Sequence, residues 1–180
     1  MSQTVINPAG QPQAVAGQVS DSARCDIISR FSEEVTTRMG FGLGMKPGVK
    51  DHAILLPTAS SSVIEGIVKF GFNHAPGVSG DLDQLSTPPG LKPQSSIELV
   101  RRGRIWVQVD ADTVITPNVT RAYCRFETDG ASNTLVGTFR HSDDTHVIDT
   151  RKQCMFVSGV RVAADGSKIA ELDCNFQSSP

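Results

Sequence analysis

Beyond residue 40 the chain alternates between short apolar runs and clusters of Gly, Pro, Asn and Asp. Short runs separated by turn residues are typical of an all-β sandwich or barrel, whereas βαβ units need helical segments between strands. We therefore predict a mainly β fold class: a compact β-barrel or sandwich-like domain with an extended N-terminal arm and at most one or two short helices. The predicted strands are Phe41–Met45, Ala53–Leu56, Ser62–Phe72, Ser96–Arg101, Arg104–Val109, Ala122–Glu127, Leu135–Arg140, Gln153–Val162 and Lys168–Phe176.

Two hairpins are predicted from turn residues between alternating runs. The first joins Ile97–Arg101 to Arg104–Val109 through a tight turn at Arg102–Gly103, because glycine supplies the positive φ that such a turn needs. The second joins Val160–Val162 to Ile169–Leu172 around an Asp-Gly pair, which is a common turn signal. Within the first hairpin, the period of two assigns three residues to the core face, namely Ile105, Val107 and Val109.

The N-terminal part of the chain differs from the rest in its pattern. Before Cys25 its apolar residues are mostly Ala and Val, scattered among Gln, Ser, Gly and Pro without a helical or strand period. We predict an extended arm over residues 1–30, which contacts a partner, and a single β-rich domain over residues 31–180. A short helix is expected within Asp26–Met39, where Ser32 is a candidate cap. A Pro/Gly-rich surface loop is expected at residues 73–94.

Composition narrows the classes of function. A formal net charge of −2 gives no basic face for nucleic acid, so direct nucleic-acid binding is not expected. No stretch approaches the length of apolar residues that crosses a membrane, and the N-terminus lacks the pattern of a secretory signal, so we expect no membrane association and synthesis in a reducing cytoplasm. The four cysteines lack CxxC or zinc spacing and are predicted to be free thiols, three of them buried in strands.

Chemistry-bearing residues cluster in one segment. His141–His146 places two imidazoles and two carboxylates within a short stretch, which makes a divalent-metal site one hypothesis. A spacing of five puts the histidines on opposite faces of a strand, so a solvated turn explains the same residues better. Ser60–Ser62 lies in no nucleophile elbow, and Gly40–Gly44 lacks the spacing of a phosphate loop; close backbone packing is the preferred interpretation of these glycines. We predict no catalytic, cofactor-binding or metal residues, no cofactor, and no enzyme activity.

Several short motifs resemble one protein family in their order and spacing. They begin with Val15–Val19 and Asp26–Arg30, continue with Gly40–Gly42 and Val100–Val107, and extend through Ala122–Phe126, Gly137–Arg140, Phe156–Gly159 and Ile169–Leu172. In this order the chain resembles the structural cement, or capsid decoration, proteins of tailed bacteriophages, and the resemblance covers nearly its whole length. The 73–94 loop and the cysteines match nothing in the family pattern, so their roles stay open.

The resemblance implies a virion structural protein that binds the outer surface of the phage capsid and stabilises contacts between subunits of the major capsid protein. It implies two partners, the major capsid protein and further copies of this chain, as a homo-oligomer with a trimer favoured over a dimer. The expected capsid or subunit contacts lie in the arm and at its junction with the domain: Val5, Ile6, Val15, Val19, Ile27, Ile28 and Arg30.

Two alternatives remain open at this point. The first is a tail or head-fibre β-module that binds host carbohydrate, which would be scarce and localised on the particle rather than spread over the shell. The second is a metal-dependent enzyme that uses His141, Asp143, Asp144 and His146. Metal analysis of the purified protein separates the second alternative from a structural role.

Overall fold

The computed structural model describes residues 14–35, 39–70, 82–83, 90–91, 93–128, 135–150, 153–163 and 166–176. Within them every regular element is a strand, which confirms the mainly β prediction. The strands are β1 (Val19–Ser32), β2 (Gly44–Pro47), β3 (Ala53–Leu55), β4 (Gly66–Val68), β5 (Leu82–Asp83), β6 (Gly90–Leu91), β7 (Ser96–Gln108), β8 (Tyr123–Arg125), β9 (Phe139–Arg140), β10 (Val147–Asp149), β11 (Cys154–Phe156), β12 (Arg161–Val162) and β13 (Lys168–Asn175). No helix long and apolar enough to cross a membrane occurs in these ranges.

The main sheet has eight strands in the order β1-β3-β2-β4-β7-β13-β11, with β12 paired to β13. Because β1 also pairs with β7, the path β1-β3-β2-β4-β7 returns to its first strand. Strands β13, β11 and β12 extend the sheet beyond this ring, and a three-stranded sheet β10-β8-β9 packs beside it. The result is a sheet-rich, sandwich-like fold rather than a clean barrel.

Strand β7 contributes to both large cores. The first of two large apolar clusters contains Ile105, Val107 and Val109, all of them buried. These are the three residues that the two-residue period of the sequence assigns to the core face. The second cluster receives Ile97 and Leu99 from the same strand. One strand therefore joins the two larger apolar clusters of the described residues.

The predicted hairpin at Arg102–Gly103 is wrong, because β7 runs without a turn from Ser96 to Gln108. Gly103 has a φ of +126°, and a Cβ there would lie 2.8 Å from the Cys25 Sγ and 3.3 Å from the Arg24 carbonyl oxygen. Opposite it, the register of β1 jumps between Asp21 and Asp26, which is a bulge. The glycine makes room for the bulged backbone of β1 instead of turning the chain.

The predicted short helix at Asp26–Met39 is also wrong in the part that the structure describes, because Asp26–Ser32 belongs to β1. This segment forms an antiparallel ladder with β7, from Asp26 opposite Arg102 to Phe31 opposite Ser96. Pairing between segments so distant in sequence overrides local preference, which is weak for such a short stretch. Residues 19–30, assigned from sequence to the arm, thus lie in the main sheet.

The remaining turn predictions have mixed outcomes. The C-terminal hairpin is confirmed, since β12 pairs with β13 and Gly166 N donates to the Ala163 carbonyl. The glycines of Gly40–Gly44 pack closely as predicted: a Cβ on Gly44 would lie 2.7 Å from the Cys124 Sγ. Most of the 73–94 loop lies outside the described residues. Its Leu91 is fully buried in the second cluster and forms a bridge with Met39.

Candidate interaction surface

A buried ion pair holds the three-stranded sheet to the end of β7. The side chains of Arg125 and Asp110 are 0% and 1% exposed, and Arg125 donates from Nε and Nη2 to the Asp110 Oδ2 at 2.9 and 2.6 Å. Thr138 Oγ1 donates to the other carboxylate oxygen at 2.5 Å. Both oxygens of this buried carboxylate are therefore satisfied, as a buried charge requires.

The His141–His146 segment extends this ion pair rather than forming a separate site. Asp144 forms an ion pair with Arg140, and its Oδ1 accepts a hydrogen bond from the His146 backbone amide at 2.7 Å. Arg140 also pairs with Asp112 at 3.3 Å. His141 Nδ1 accepts from the Val114 amide at 3.2 Å. The side chains of Arg140, His141 and Asp144 therefore connect this turn to the neighbouring segment around Asp112 and Val114.

The metal hypothesis requires the histidines and carboxylates of this segment to converge. Over the described ranges no group of three or more His, Cys, Asp or Glu side chains is placed to hold a metal ion. The Asp144 carboxylate instead faces two arginines, since Arg125 Nη2 lies 3.9 Å from it in addition to the Arg140 contact. Two guanidinium groups beside one carboxylate disfavour a cation at the same oxygens.

The cysteines are free thiols, as predicted. Cys124, Cys154 and Cys174 are buried in strands, and burial raises the pKa of each thiol above its ordinary value. Cys25 is half-buried, and its pKa is raised as well. Desolvation is the larger cause, and the nearby Asp21 carboxylate is the second. None of these thiols has the lowered pKa that characterises an activated cysteine nucleophile.

The predicted contact residues of the arm fall into two groups. Val5 and Ile6 lie outside the described residues. Val15 is 38% exposed, whereas Val19 is half-buried against the first cluster. These positions are where the chain enters the main sheet.

Backbone hydrogen bonds fix the chain at Ala16–Gln18, which we call the arm anchor. Gly17 N donates to the Trp106 carbonyl at 2.6 Å, and the Gly17 carbonyl accepts from Phe70 N at 2.8 Å. Gly17 has a φ of +79°, and a Cβ there would lie 2.7 Å from Phe70 N, so only glycine fits. Ala16 is buried with Trp106, Ala163 and Ile169 in a third apolar cluster. The anchor is thus part of the folded body.

The other predicted contacts lie in β1 and point in different directions. Ile27 is 42% exposed, while Ile28 packs against the second cluster. The Arg30 guanidinium forms an ion pair with Glu65 at 2.6 Å, with the two side chains 19% and 15% exposed. The structure therefore presents Ile27 to solvent and uses Ile28 and Arg30 within the fold.

Prediction from sequence missed a further exposed apolar residue on the same strand. Phe31 is 45% exposed and shares the face of Ile27, since alternate residues of a strand point the same way. Ile27, Ser29 and Phe31 together form what we call the β1 stripe. The spacing of Ile27, Ser29 and Phe31 at every second position is the sequence signal for this exposed strand face. Interpreting the segment as a short helix led us to miss it.

Comparison with known proteins gives a match over almost the whole chain. The model of the family described as structural cement protein (E217 gp24/Pam3 gp6) matches residues 1–175. Among solved structures, a chain of the capsid of Myoviridae phage XM1 is similar in fold with a TM-score of 0.65 and 16% sequence identity, covering 98% of this chain and 99% of that chain. No curated protein matches the sequence.

Proposed function

Because the chain belongs to the structural cement protein family of bacteriophages, which gives it a structural role in the capsid, we propose that it binds the outer surface of the shell and stabilises contacts between major capsid protein subunits. Its place is then the outer surface of the virion, after synthesis in the host cytoplasm. Cement proteins strengthen a shell by bridging it, so the function needs contact surfaces rather than a reaction centre.

The observation that carries the proposal is the joining of the arm to an exposed apolar strand. The arm anchor at Ala16–Gln18 leads directly into β1, which carries the β1 stripe on its outer face. Ile27 and Phe31 lie on one face of this strand and offer apolar surface to a partner. Arm and stripe together supply two contacts that can reach different capsid subunits.

The length of the arm suits this bridging role. Residues 1–13 precede the described part of the chain, and a segment of that length spans up to about 45 Å when extended. Its small apolar residues, including Val5 and Ile6, suit contact along a neighbouring surface. Each contact can be weak, because repeated attachment to a lattice raises the overall affinity.

We further propose that the protein acts as a homo-oligomer, with a trimer favoured over a dimer. A symmetric oligomer places several arms and several copies of the β1 stripe around one axis, so that one assembly contacts several capsid subunits. The contact residues proposed within the described ranges are the expected Val15, Val19, Ile27, Ile28 and Arg30, with Phe31 added. Val15, Ile27 and Phe31 are exposed, whereas Val19, Ile28 and Arg30 are partly buried.

Quantification of this protein in purified virions tests the proposal. We expect many copies per particle, on the scale of the major capsid protein, and labelling of the intact shell by an antibody against the β domain. Absence from particles, or a few copies confined to the tail, would overturn the cement role and favour a fibre or tail module.

A further inference from the structure

Two cysteines face each other across adjacent strands. Cys154 in β11 and Cys174 in β13 are register partners in an antiparallel pair. Asn175 N donates to the Gln153 carbonyl at 2.9 Å, which makes the neighbouring pair a hydrogen-bonded one. Hydrogen-bonded and non-hydrogen-bonded pairs alternate along an antiparallel ladder, so Cys154 and Cys174 occupy a non-hydrogen-bonded site.

At such a site the Cα atoms of opposed residues are about 4.5 Å apart and the side chains approach closely. Disulfides join residues whose Cα atoms lie about 4.4–6.8 Å apart, so this register falls within the usual range. Both side chains lie in the first cluster, 3% and 1% exposed. We propose that Cys154 and Cys174 form a modification site: a cross-strand disulfide that forms on oxidation and joins β11 to β13.

The other two cysteines are less suited to this bond. Cys25 lies beside Gly103 in β7, and Gly103 is the register partner of Cys174 on its other side. Cys25 and Cys174 both approach Gly103, and the Cys25 thiolate contributes to the raised pKa of Cys174. They are not register partners, however, because β7 runs between their two strands. Cys124 belongs to β8 of the three-stranded sheet and has Phe139 and Ile148 as its register partners. Among the strand pairings of the described residues, Cys154 and Cys174 are the two cysteines that stand directly opposite each other in register.

The reaction needs an oxidant, which we take to be a small disulfide compound such as oxidised glutathione. One cysteine thiolate attacks this disulfide, forms a mixed disulfide and releases one glutathione thiol. The second cysteine then attacks the protein sulfur of the mixed disulfide, which forms the Cys154–Cys174 bond and releases the second glutathione. Two protein thiols are oxidised and one glutathione disulfide is reduced to two thiols.

Access to the pair depends on opening of β11. This strand has only three residues, and it covers Cys174, whose Sγ donates to the Gly103 carbonyl of β7 at 3.3 Å. Burial raises the pKa of both thiols, so the closed form reacts slowly. Oxidation then closes a chain loop between residues 154 and 174 and restricts the unfolded chain, which stabilises the fold.

Peptide mapping of the full-length protein tests the proposal directly. The protein is incubated with oxidised glutathione, free thiols are alkylated, and the mixture is digested with trypsin. The four cysteines fall on four different tryptic peptides, Cys25–Arg30, Ala122–Arg125, Gln153–Arg161 and Ile169–Pro180. We expect a linked species joining Gln153–Arg161 to Ile169–Pro180, with the other two peptides alkylated, and a rise in Tm of about 5–10 °C relative to the reduced protein.

Two variants sharpen the test. Cys154→Ser is expected to abolish both the linked species and the rise in Tm, while Cys25→Ser retains both. If Cys154→Ser does not fold, the peptide map of the wild-type protein decides alone. Recovery of all four peptides in alkylated form, or a link that includes Cys25 or Cys124, would overturn the proposal.

Discussion

At the scale of single residues, Gly103 shows how one amino acid can support two different interpretations. A glycine after Arg102 between two alternating runs is the usual signal for a tight turn. In the folded chain the same residue accommodates the β1 bulge, with the Cys25 Cα 3.2 Å from where a Cβ would stand. The sequence around Gly103 contains no trace of its distant partner, so local pattern could not separate the two roles.

Replacement of Gly103 by alanine is expected to destabilise the fold by about 1–3 kcal/mol, because alanine is strained at positive φ and its Cβ collides with β1. Thermal and urea unfolding measure the change. Gly159→Ala is the matched control, since a Cβ at Gly159 meets nothing within 4 Å. Equal stabilities of the two variants would contradict the account of Gly103.

Asp110 is a second residue whose role depends on its environment. We expect Asp110→Asn to lower the free energy of unfolding by about 3–5 kcal/mol, because it removes the charge paired with the buried Arg125. Asp173→Asn removes a carboxylate from an exposed pair with Arg104 and is expected to cost less than about 1 kcal/mol. Chemical denaturation of both variants measures the two losses in the free energy of unfolding. Comparable losses would show that burial does not make the Asp110 pair more important to stability than the exposed pair.

The His141–His146 segment illustrates the limit of local chemistry. Its composition was recognisable from sequence, and the preference for a solvated turn over a metal site rested on the spacing of the histidines. The arginines beside Asp144 come from β8 and β9, and Asp110 follows β7. Only the fold brings these charges together, so the buried ion pair could not be predicted.

At the scale of elements, β1 is the segment that the sequence described least well. Strands β7 and β13 were visible because apolar residues alternate along them and are buried on one face. In β1 the alternation is weak, since Ile27 and Phe31 face solvent while Arg30 turns inward to Glu65. We attribute this departure from the usual pattern to the proposed contact of the outer face of β1 with a partner.

Removal of the exposed apolar groups from β1 tests that explanation. We expect the double variant Ile27→Thr/Phe31→Thr to keep the stability of the wild-type protein within about 1 kcal/mol, because threonine suits a strand and both sites are partly exposed. Its occupancy on decorated capsids should fall severalfold. Val162→Thr, at a 60% exposed position of β12, is the control and should decorate normally. Unchanged occupancy of the double variant would exclude the β1 stripe from the contact.

The arm requires a separate test, and the position of the cut matters. Deletion of residues 1–13 ends before the arm anchor, so we expect Gly17 to keep its bonds to Trp106 and Phe70 and the domain to stay folded. Capsid occupancy is expected to decrease when truncated and full-length proteins compete for undecorated particles. A matched variant, Gly17→Val, disturbs the anchor and should unfold at a lower temperature. Loss of folding in the deletion itself would show that residues 1–13 belong to the core.

At the scale of the whole molecule, the two large cores are not independent. Strand β7 buries Ile97 and Leu99 in the second cluster and Ile105 and Val107 in the first, where Val109 follows directly after the strand. The mainly β fold class could be predicted from the short apolar runs and the frequent turn residues of the sequence. The sharing of one strand between two cores could not be predicted, because it depends on β7 continuing through Gly103.

We therefore expect a single cooperative unfolding transition. The fluorescence of Trp106, the only tryptophan, reports on the region of the arm anchor, whereas far-ultraviolet circular dichroism reports on all strands. Both signals should give the same midpoint and slope in urea. Separate transitions would show that the two cores unfold independently.

The arm anchor has a mechanical consequence for a shell under internal pressure. A pull on the arm reaches the Gly17 bonds to Trp106 and Phe70 first, and passes from there into β1. Because β1 is bonded to both β7 and β3, the tension spreads over the ring of strands instead of peeling one edge. If residues 1–13 bind a neighbouring subunit as proposed, the ring of strands bears the load that they deliver, and their contact with the neighbour is expected to yield first.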